Sequence, residues 1–438
     1  MLPYQNHAER AGRSAMESLW TQIRIQTSRW QPHRLVPISV GFSKRKFRSA
    51  ETSHRIARRS ARPGIALRAL LAATATVALS GCSISYITRA GYEEMRILWN
   101  RKPISSQLDN GDLSPDVRAR LETVLRVRKF AADDLGLNVG GAYQTVSQID
   151  QSAVVHVVMA APRDSLQPYR WWFPIVGYVP YRGYFDEADA TAEAAAMEAQ
   201  GYDTLVRPAV AFSSLGFFND PVLSNLLALD RVELAEVIIH ELFHRTYYLP
   251  GHVMFDESAA NWVGTRGAAD FFAQTKGASS PDAVEARAVF QSTLRFSRFL
   301  LQEQAPLLRL YISGLPKDTI VKRREILFAR IKSDYARLAP HLNGLARFNL
   351  DKERLNNAVM INYLIYFHDL DNFSALERTN HGDTRATIAQ IIKLAKSDPD
   401  DPFYAVWQAT HGAAPIETNN PSAPAIAAAS GPSYSAKK

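Results

Sequence analysis

Residues 240–244 read His240-Glu241-Leu242-Phe243-His244, and thirteen residues past the second histidine stands Glu257, within Phe255-Asp256-Glu257-Ser258-Ala259-Ala260. The residues ahead, Val232-Glu233-Leu234-Ala235-Glu236-Val237-Ile238-Ile239, are helix formers with an apolar stripe, so the pentapeptide falls on a buried helix. Two histidines four apart on a helix project from one face about a turn from each other, and both imidazoles reach one metal ion. Glu241 then sits beside the open coordination position, where a general base must be to take a proton from an attacking water. A buried helix has no structural need for these three residues, so the pattern predicts a mononuclear Zn²⁺ hydrolase site.

The third ligand follows by elimination. A histidine of the H-E-x-x-H-x-x-G-x-x-H type needs Gly at 247 and His at 250, and the chain has Tyr247 and Pro250. His252 lies within reach in the turn Leu249-Pro250-Gly251-His252, a less rigid place for a ligand. Glu257 is better placed. Asp256 reads as an N-cap, so Glu257 would open a second helix running to about Phe272, and the first turn of that helix comes near the metal face of the first.

Outward from this pair, Leu113 to Leu135 predicts a long helix opened by Ser114-Pro115 and stopped by Gly136. Ala153 to Ala160 is β-branched and apolar, a central strand in which His156 reads as a packed core histidine rather than a ligand. An aromatic stretch with Gly and Pro runs from Pro168 to Tyr184, then a helix from about Glu187 to Gln200. Past Phe272 the pattern is all-helical, with segments near Asp282–Ile312, Asp318–Leu338, Leu355–Leu370 and Asp383–Ala395. This order predicts an α+β fold. A zincin-like half-domain over residues 113–276, its metal helix against a small sheet, precedes a helical half over 277–411, with the active site in the cleft between them. From Gly412 the chain is rich in Ala, Pro and Ser and reads as a disordered tail.

Further blocks carry a family resemblance. Trp172-Phe173-Pro174 through Gly177, Tyr181-Arg182-Gly183-Tyr184-Phe185, Gly201-Tyr202-Asp203 and Ala211 through Pro221 precede the metal helix. In that order they resemble the bacterial family of lipoproteins described as putative aminopeptidases, over about Gly81 to Trp407. The resemblance implies a gluzincin-type metallopeptidase with His240, His244 and Glu257 as ligands and Glu241 as catalytic base. Asp256 stands where Asn is usual in the Asn-Glu-x-x-Ala pattern, which bears on the tuning of the ligands and not on the metal. In gluzincins a Tyr or His from the C-terminal half donates a hydrogen bond to the carbonyl oxygen under attack. Asn356-Asn357-Ala358 followed by Tyr363 and Tyr366 resembles the family's downstream block, and Tyr363 is the candidate donor. Zinc aminopeptidases with this ligand set carry a Gly-x-Met-Glu-Asn strand whose glutamate holds the substrate amine, and no such string occurs here. An acid in the Asp186-Glu187 or Asp220 region is the alternative amine anchor.

The other end of the chain predicts location. Arg55, Arg58, Arg59, Arg62 and Arg68 surround the start of an apolar run from Ala66 to Leu79, which ends at Ser80-Gly81-Cys82. The segment 54–81 resembles a bacterial lipoprotein signal peptide, too short for a comfortable membrane span. Cys82, the single cysteine, is then the lipidated residue, with 82–112 as anchor and linker; Ser83 after it favours the outer membrane, facing the periplasm. Residues 1–53 precede the signal and read as an extension outside the mature protein. Residues 1–81 hold 14 Lys+Arg against 3 Asp+Glu, a net +11, and the rest hold 37 against 40, a net −3. The basic character belongs to the leader, which removes the main support for nucleic-acid binding. Lys322-Arg323-Arg324 reads as a solvated helix face.

The resulting expectation is a membrane-anchored zinc metallopeptidase acting on peptide or protein substrates, an aminopeptidase by resemblance. The alternatives are an endopeptidase or peptidoglycan amidase with the same site, or a non-catalytic envelope assembly lipoprotein. Glu241 argues against the last, since a structural metal site needs no base.

Overall fold

In the computed structural model the described residues are 95, 97–109, 113–149, 155–173, 177–209, 219–344, 350–351 and 354–412. The basic extension, the signal segment with Cys82, most of the Ala211–Pro221 block and the tail past Gly412 lie outside them. The elements run β1 (Lys102–Pro103), α1 (Ile104–Asp109), α2 (Pro115–Asp133), β2 (Thr145–Ser147), β3 (Val155–Pro162), β4 (Trp171–Phe173), β5 (Gly177–Val179), β6 (Arg182–Tyr184), α3 (Glu187–Ala199), β7 (Tyr202–Ala209) and β8 (Val222–Leu223). Then follow α4 (Arg231–Thr246), α5 (Val253–Lys276), α6 (Pro281–Tyr311), α7 (Lys317–Leu338), α8 (Asn357–Phe367), α9 (Leu370–Thr379), α10 (Thr384–Ser397) and α11 (Pro402–His411). The fold is mixed α+β and mostly helical. Among the described residues no helix is long and apolar enough to cross a membrane.

Local chemistry sets the boundaries. Ser114 caps α2 by accepting from the Val117 N–H, and Pro115, which has no N–H to leave unpaired, fills the first turn. Asp186, Asp230 and Asn356 cap α3, α4 and α8 in the same way. The segment expected as a helix over Leu355–Leu370 is α8, and Asp369, in the left-handed region at φ 51°, separates it from α9. Helices α1, α9 and α11 were not expected from the sequence.

The strands form small sheets. β3 lies between β6 and β7, antiparallel to both, with His156 opposite Tyr184 and Val158 opposite Val206. Alternation along β3 explains why it is apolar throughout. Val157, Met159 and Ala161 enter the main core, while Val158 and Ala160 pack with Ala190, Ala194 and Met197 of α3. The sheet is thus covered by α3 and by α8. The expected placement of the metal helix against the sheet gives way to a helical one: α4 packs chiefly on α5 and α2, and α5 packs on α4, α6 and α8. The reason lies in α5, buried nearly all round from Phe255 to Phe272, which can only be satisfied by helices on several sides.

A buried polar hub ties the C-terminal helices to the sheet. Arg324, expected on a solvated face with Lys322 and Arg323, is 4 % exposed and forks onto Asp203 of β7, with Nη2 donating to Oδ1 at 3.0 Å. The same carboxylate accepts from the Asn357 N–H at 3.0 Å. Asn357 Nδ2 donates to the Pro162 and Ser165 carbonyls at 2.8 and 3.0 Å, and its Oδ1 accepts from the Tyr311 hydroxyl at 2.6 Å. Asn356 Nδ2 adds a bond to the Thr204 carbonyl at 2.9 Å. The Asn356-Asn357 pair therefore fixes the start of α8 on β3 and β7.

Arg324→Met leaves the buried Asp203 carboxylate with only the half-exposed Arg163, whose Nε lies 3.5 Å from Oδ1, and is expected to cost about 3 kcal/mol in urea unfolding. A loss below about 1 kcal/mol would place the pair with solvent-screened surface bridges instead.

Candidate metal centre

Helix α5 runs back along α4, and two glycines let it come close. A Cβ at Gly264 would sit 2.8 Å from the Glu236 carbonyl oxygen and 3.2 Å from His240 Cβ. One at Gly267 would meet Leu135 Cδ1 at 2.9 Å and Ile239 Cγ2 at 3.1 Å. The close approach places the N-terminal part of α5, with Glu257, against the turn of α4 that carries both histidines.

Three ligand atoms converge there. His240 Nε2 lies 3.2 Å and His244 Nε2 3.4 Å from Glu257 Oε2, and the two nitrogens are 3.0 Å apart. A metal at about 2.0–2.1 Å from each ligand in a tetrahedron sets its ligands about 3.3 Å from one another. The triangle has those dimensions, and two neutral imidazoles with one carboxylate, leaving a fourth position open, is the donor set of a catalytic zinc site. His252, the alternative third ligand, stands outside this group as the N-cap of α5.

Electrostatics hold the triangle together without a metal. Burial by itself would lower the His244 imidazole, but the charge and hydrogen bond of Glu257 override it and raise its pKa to about 9. Burial would raise Glu257, and His244 and His240 hold it instead well below the usual carboxylate range. A metal must therefore displace a proton from His244.

Asp256 is not the cap the sequence suggested. The helix begins at Val253, and Asp256 in its first turn reaches back to accept the Leu249 N–H at 2.9 Å, bracing the turn between α4 and α5. The tight turn lets α5 start early, which the Pro250-Gly251 pair concealed. Burial pushes the Asp256 carboxyl up to about 8, against the Leu249 N–H and His244. His244 Nδ1 and Asp256 Oδ2 are both buried without a hydrogen-bond partner, and the two groups act on each other electrostatically. Ligand histidines ordinarily give their second ring N–H to a carboxylate or carbonyl, and among the described residues His244 Nδ1 makes no such bond, so Asp256 reaches it only through its field.

Glu241 lies next to the triangle. Burial raises its carboxyl pKa, with Glu257 and Asp220 adding to the effect and the two histidines opposing it. A carboxylate so raised accepts a proton more readily. Of the acids considered as amine anchors, Asp220 is buried and acts on both Glu241 and Tyr143. Asp186 is engaged as the α3 cap, and Glu187 is 76 % exposed beside His156.

Tyr363 does not point to the donor role the sequence suggested. Its ring stands edge-to-face on Phe296 of α6 at 5.5 Å, packing a helix interface. Three residues on, Tyr366 lies tilted over His240 with ring centroids 6.4 Å apart. Asn261 Nδ2, one turn beyond Glu257, donates to the Tyr366 carbonyl at 2.7 Å, and Arg207 Nη2 of β7 donates to the Tyr366 hydroxyl at 3.0 Å. Tyr181 joins this wall, its hydroxyl raised by burial and then by the Glu257 charge. The sequence held Tyr181 and Tyr366 inside the quoted blocks but offered nothing to rank Tyr366 above Tyr363. Arg207 carried no signal at all.

Comparison with known proteins gives one match: the family model described as "Putative aminopeptidase" covers residues 85–402. No curated protein and no solved structure matches the chain.

Calorimetric titration of the metal-stripped chain with Zn²⁺ is expected to show one site. Asp256→Asn should weaken it about 10- to 100-fold and His244→Ala further. Because the proton on His244 competes with the metal, affinity should rise as pH climbs from 6 toward about 9, with proton release. Gly264→Ala, whose methyl meets the Glu236 carbonyl at 2.8 Å, should lose affinity in the same titration although it touches no ligand. Undiminished binding would show that the helix spacing is not what holds the triangle.

Proposed function

The chain belongs to the family described as "Putative aminopeptidase", and from that membership and the His240–His244–Glu257 triangle we propose that it is a zinc-dependent metallopeptidase of gluzincin type, built on a zincin-like half-domain. The observation that carries the reading is the pairing of a three-ligand set of tetrahedral dimensions with an adjacent carboxylate of raised pKa. Zn²⁺ held by His240, His244 and Glu257 would supply Lewis acidity toward the scissile carbonyl and lower the pKa of water to near neutrality. Glu241 takes the proton from the attacking water and carries it to the leaving amine nitrogen. Asp256 favours the charged form of His244 through its field. The Tyr366 hydroxyl donates to the carbonyl oxygen as charge develops there.

Family membership favours removal of N-terminal residues, and Asp220 is the acid available to hold the substrate's ammonium. Lipidation at Cys82 would tether the enzyme to the outer membrane, facing the periplasm.

Zinc-loaded protein is expected to shorten free peptides of a mixed library one residue at a time from the N-terminus and to spare acetylated ones, read by mass spectrometry. Glu241→Gln should lower kcat roughly 10²- to 10⁴-fold with its zinc retained. Internal cuts in both peptide sets would make the protein an endopeptidase, and turnover equal to Glu241→Gln would favour a non-catalytic envelope role. Cys82→Ser should abolish incorporation of labelled palmitate and release the protein from the membrane fraction; unchanged fractionation would refute lipid anchoring.

A further inference from the structure

Arg207 lies on β7 with, among the described residues, only neutral acceptors. Its Nε donates to Asn362 Oδ1 at 2.7 Å and its Nη2 to the Tyr366 hydroxyl at 3.0 Å, and its guanidinium carbon stands 5.6 Å from the centre of the Tyr366 ring. Among the described residues no carboxylate forms an ion pair with it, although the Glu257 charge reaches it. A half-buried cation given two neutral partners is costly unless its field is used. Both partners sit on α8, one turn apart, so the guanidinium grips the helix segment that faces the metal triangle. That segment is held from the other side by Asn261.

The bond from Arg207 to Tyr366 has a fixed direction. Guanidinium only donates, so the phenol oxygen must accept, and its own hydrogen has to point elsewhere. A hydroxyl that accepts from a cation is also polarised into a stronger donor. We infer that Arg207 is a positioning residue: by occupying a lone pair of the Tyr366 oxygen it turns the phenolic hydrogen toward the oxygen that gains charge beside His240. The inference rests on the proposed function for the identity of that oxygen. Asn362 holds the guanidinium in register for the task.

Inorganic phosphate, a tetrahedral anion, tests this without any turnover. Its affinity for the zinc-loaded full chain is measured calorimetrically for the parent protein, Arg207→Met, Tyr366→Phe and the double variant, each checked for zinc content and helical circular dichroism. Each single variant should bind phosphate roughly tenfold more weakly, the worth of one hydrogen bond to a charged group, and the double variant no more weakly than either. Arg207→Lys should recover part of the loss, and Asn362→Leu, which leaves the cation but frees it, should show a smaller loss. If Arg207→Met does not fold, these two variants carry the same comparison against Tyr366→Phe. Additive losses in the double variant would mean that Arg207 acts on the anion directly, and affinities alike in all four proteins would mean that it does not act through Tyr366; either overturns the inference. A protein that cleaves no peptide yet shows the non-additive pattern would refute the peptidase reading and leave this one standing. Where turnover is found, Arg207→Met should lower kcat and spare KM.

Discussion

The site depends on how closely α4 and α5 approach. Two imidazoles on one helix can be supplied by local geometry alone, but the third ligand must arrive from another helix at a distance of a few ångströms. A Cβ at Gly264 would strike a backbone carbonyl, which cannot rotate away as a flexible side chain can, and the same contact borders His240 itself. The absence of one methyl group thus sets the spacing that lets Glu257 meet both histidines. Ile239, buried against Gly267, adds apolar area that keeps the two helices pressed together. The Asp256–Leu249 bond fixes the turn between them.

Around this pair the molecule is arranged in two further supports. The buried hub at Asp203, Arg324 and Asn357 fixes α8 against the sheet, and the Asn261–Tyr366 bond fixes α8 against α5. Tyr366 therefore takes its place over His240 from both sides, and Arg207 reaches it from a strand of that sheet. The wall opposite the ligands is built by residues from both sides of the metal motif in sequence, Tyr181 and Arg207 before it and Tyr366 more than a hundred positions after it. It brings a strand, a late helix and the metal helices to one point. The hub also shows why a run of basic residues is a poor guide to a solvated surface: Lys322 and Arg323 are exposed, while the next residue on the helix, Arg324, is among the most buried charges of the described residues.

Much of the architecture was legible as local pattern. Ser114-Pro115 opened α2, and the helix expected from about Glu187 is α3, Glu187–Ala199. The β-branched run of β3 and the helical segments of the C-terminal half also appear within a few residues of where periodicity put them. The misreadings share a cause. Asp256 has the chemistry of a cap, but the turn before it is tight enough for the helix to start at Val253, and the carboxylate reaches back to Leu249 instead. The metal helix, amphipathic as a sheet-packing helix would be, lies between α2 and α5. Tyr363 and Tyr366 are both aromatic positions on one apolar helix, and only the rotation of α8 about its axis, set by Asn356 and Asn357 at its start, assigns one to Phe296 and the other to His240.

The sequence by itself determined the chemistry available: two histidines a helical turn apart, a glutamate beside the first, and a second glutamate thirteen residues past the second histidine. It could do so because the spacing of ligands on a single helix is a property of helix geometry and needs no partner. The tertiary structure alone decided which tyrosine stands over the metal helix, that Arg207 grips it, and that Arg324 is buried. Those choices depend on how elements far apart in the chain rotate and pack against one another, and no local spacing records that.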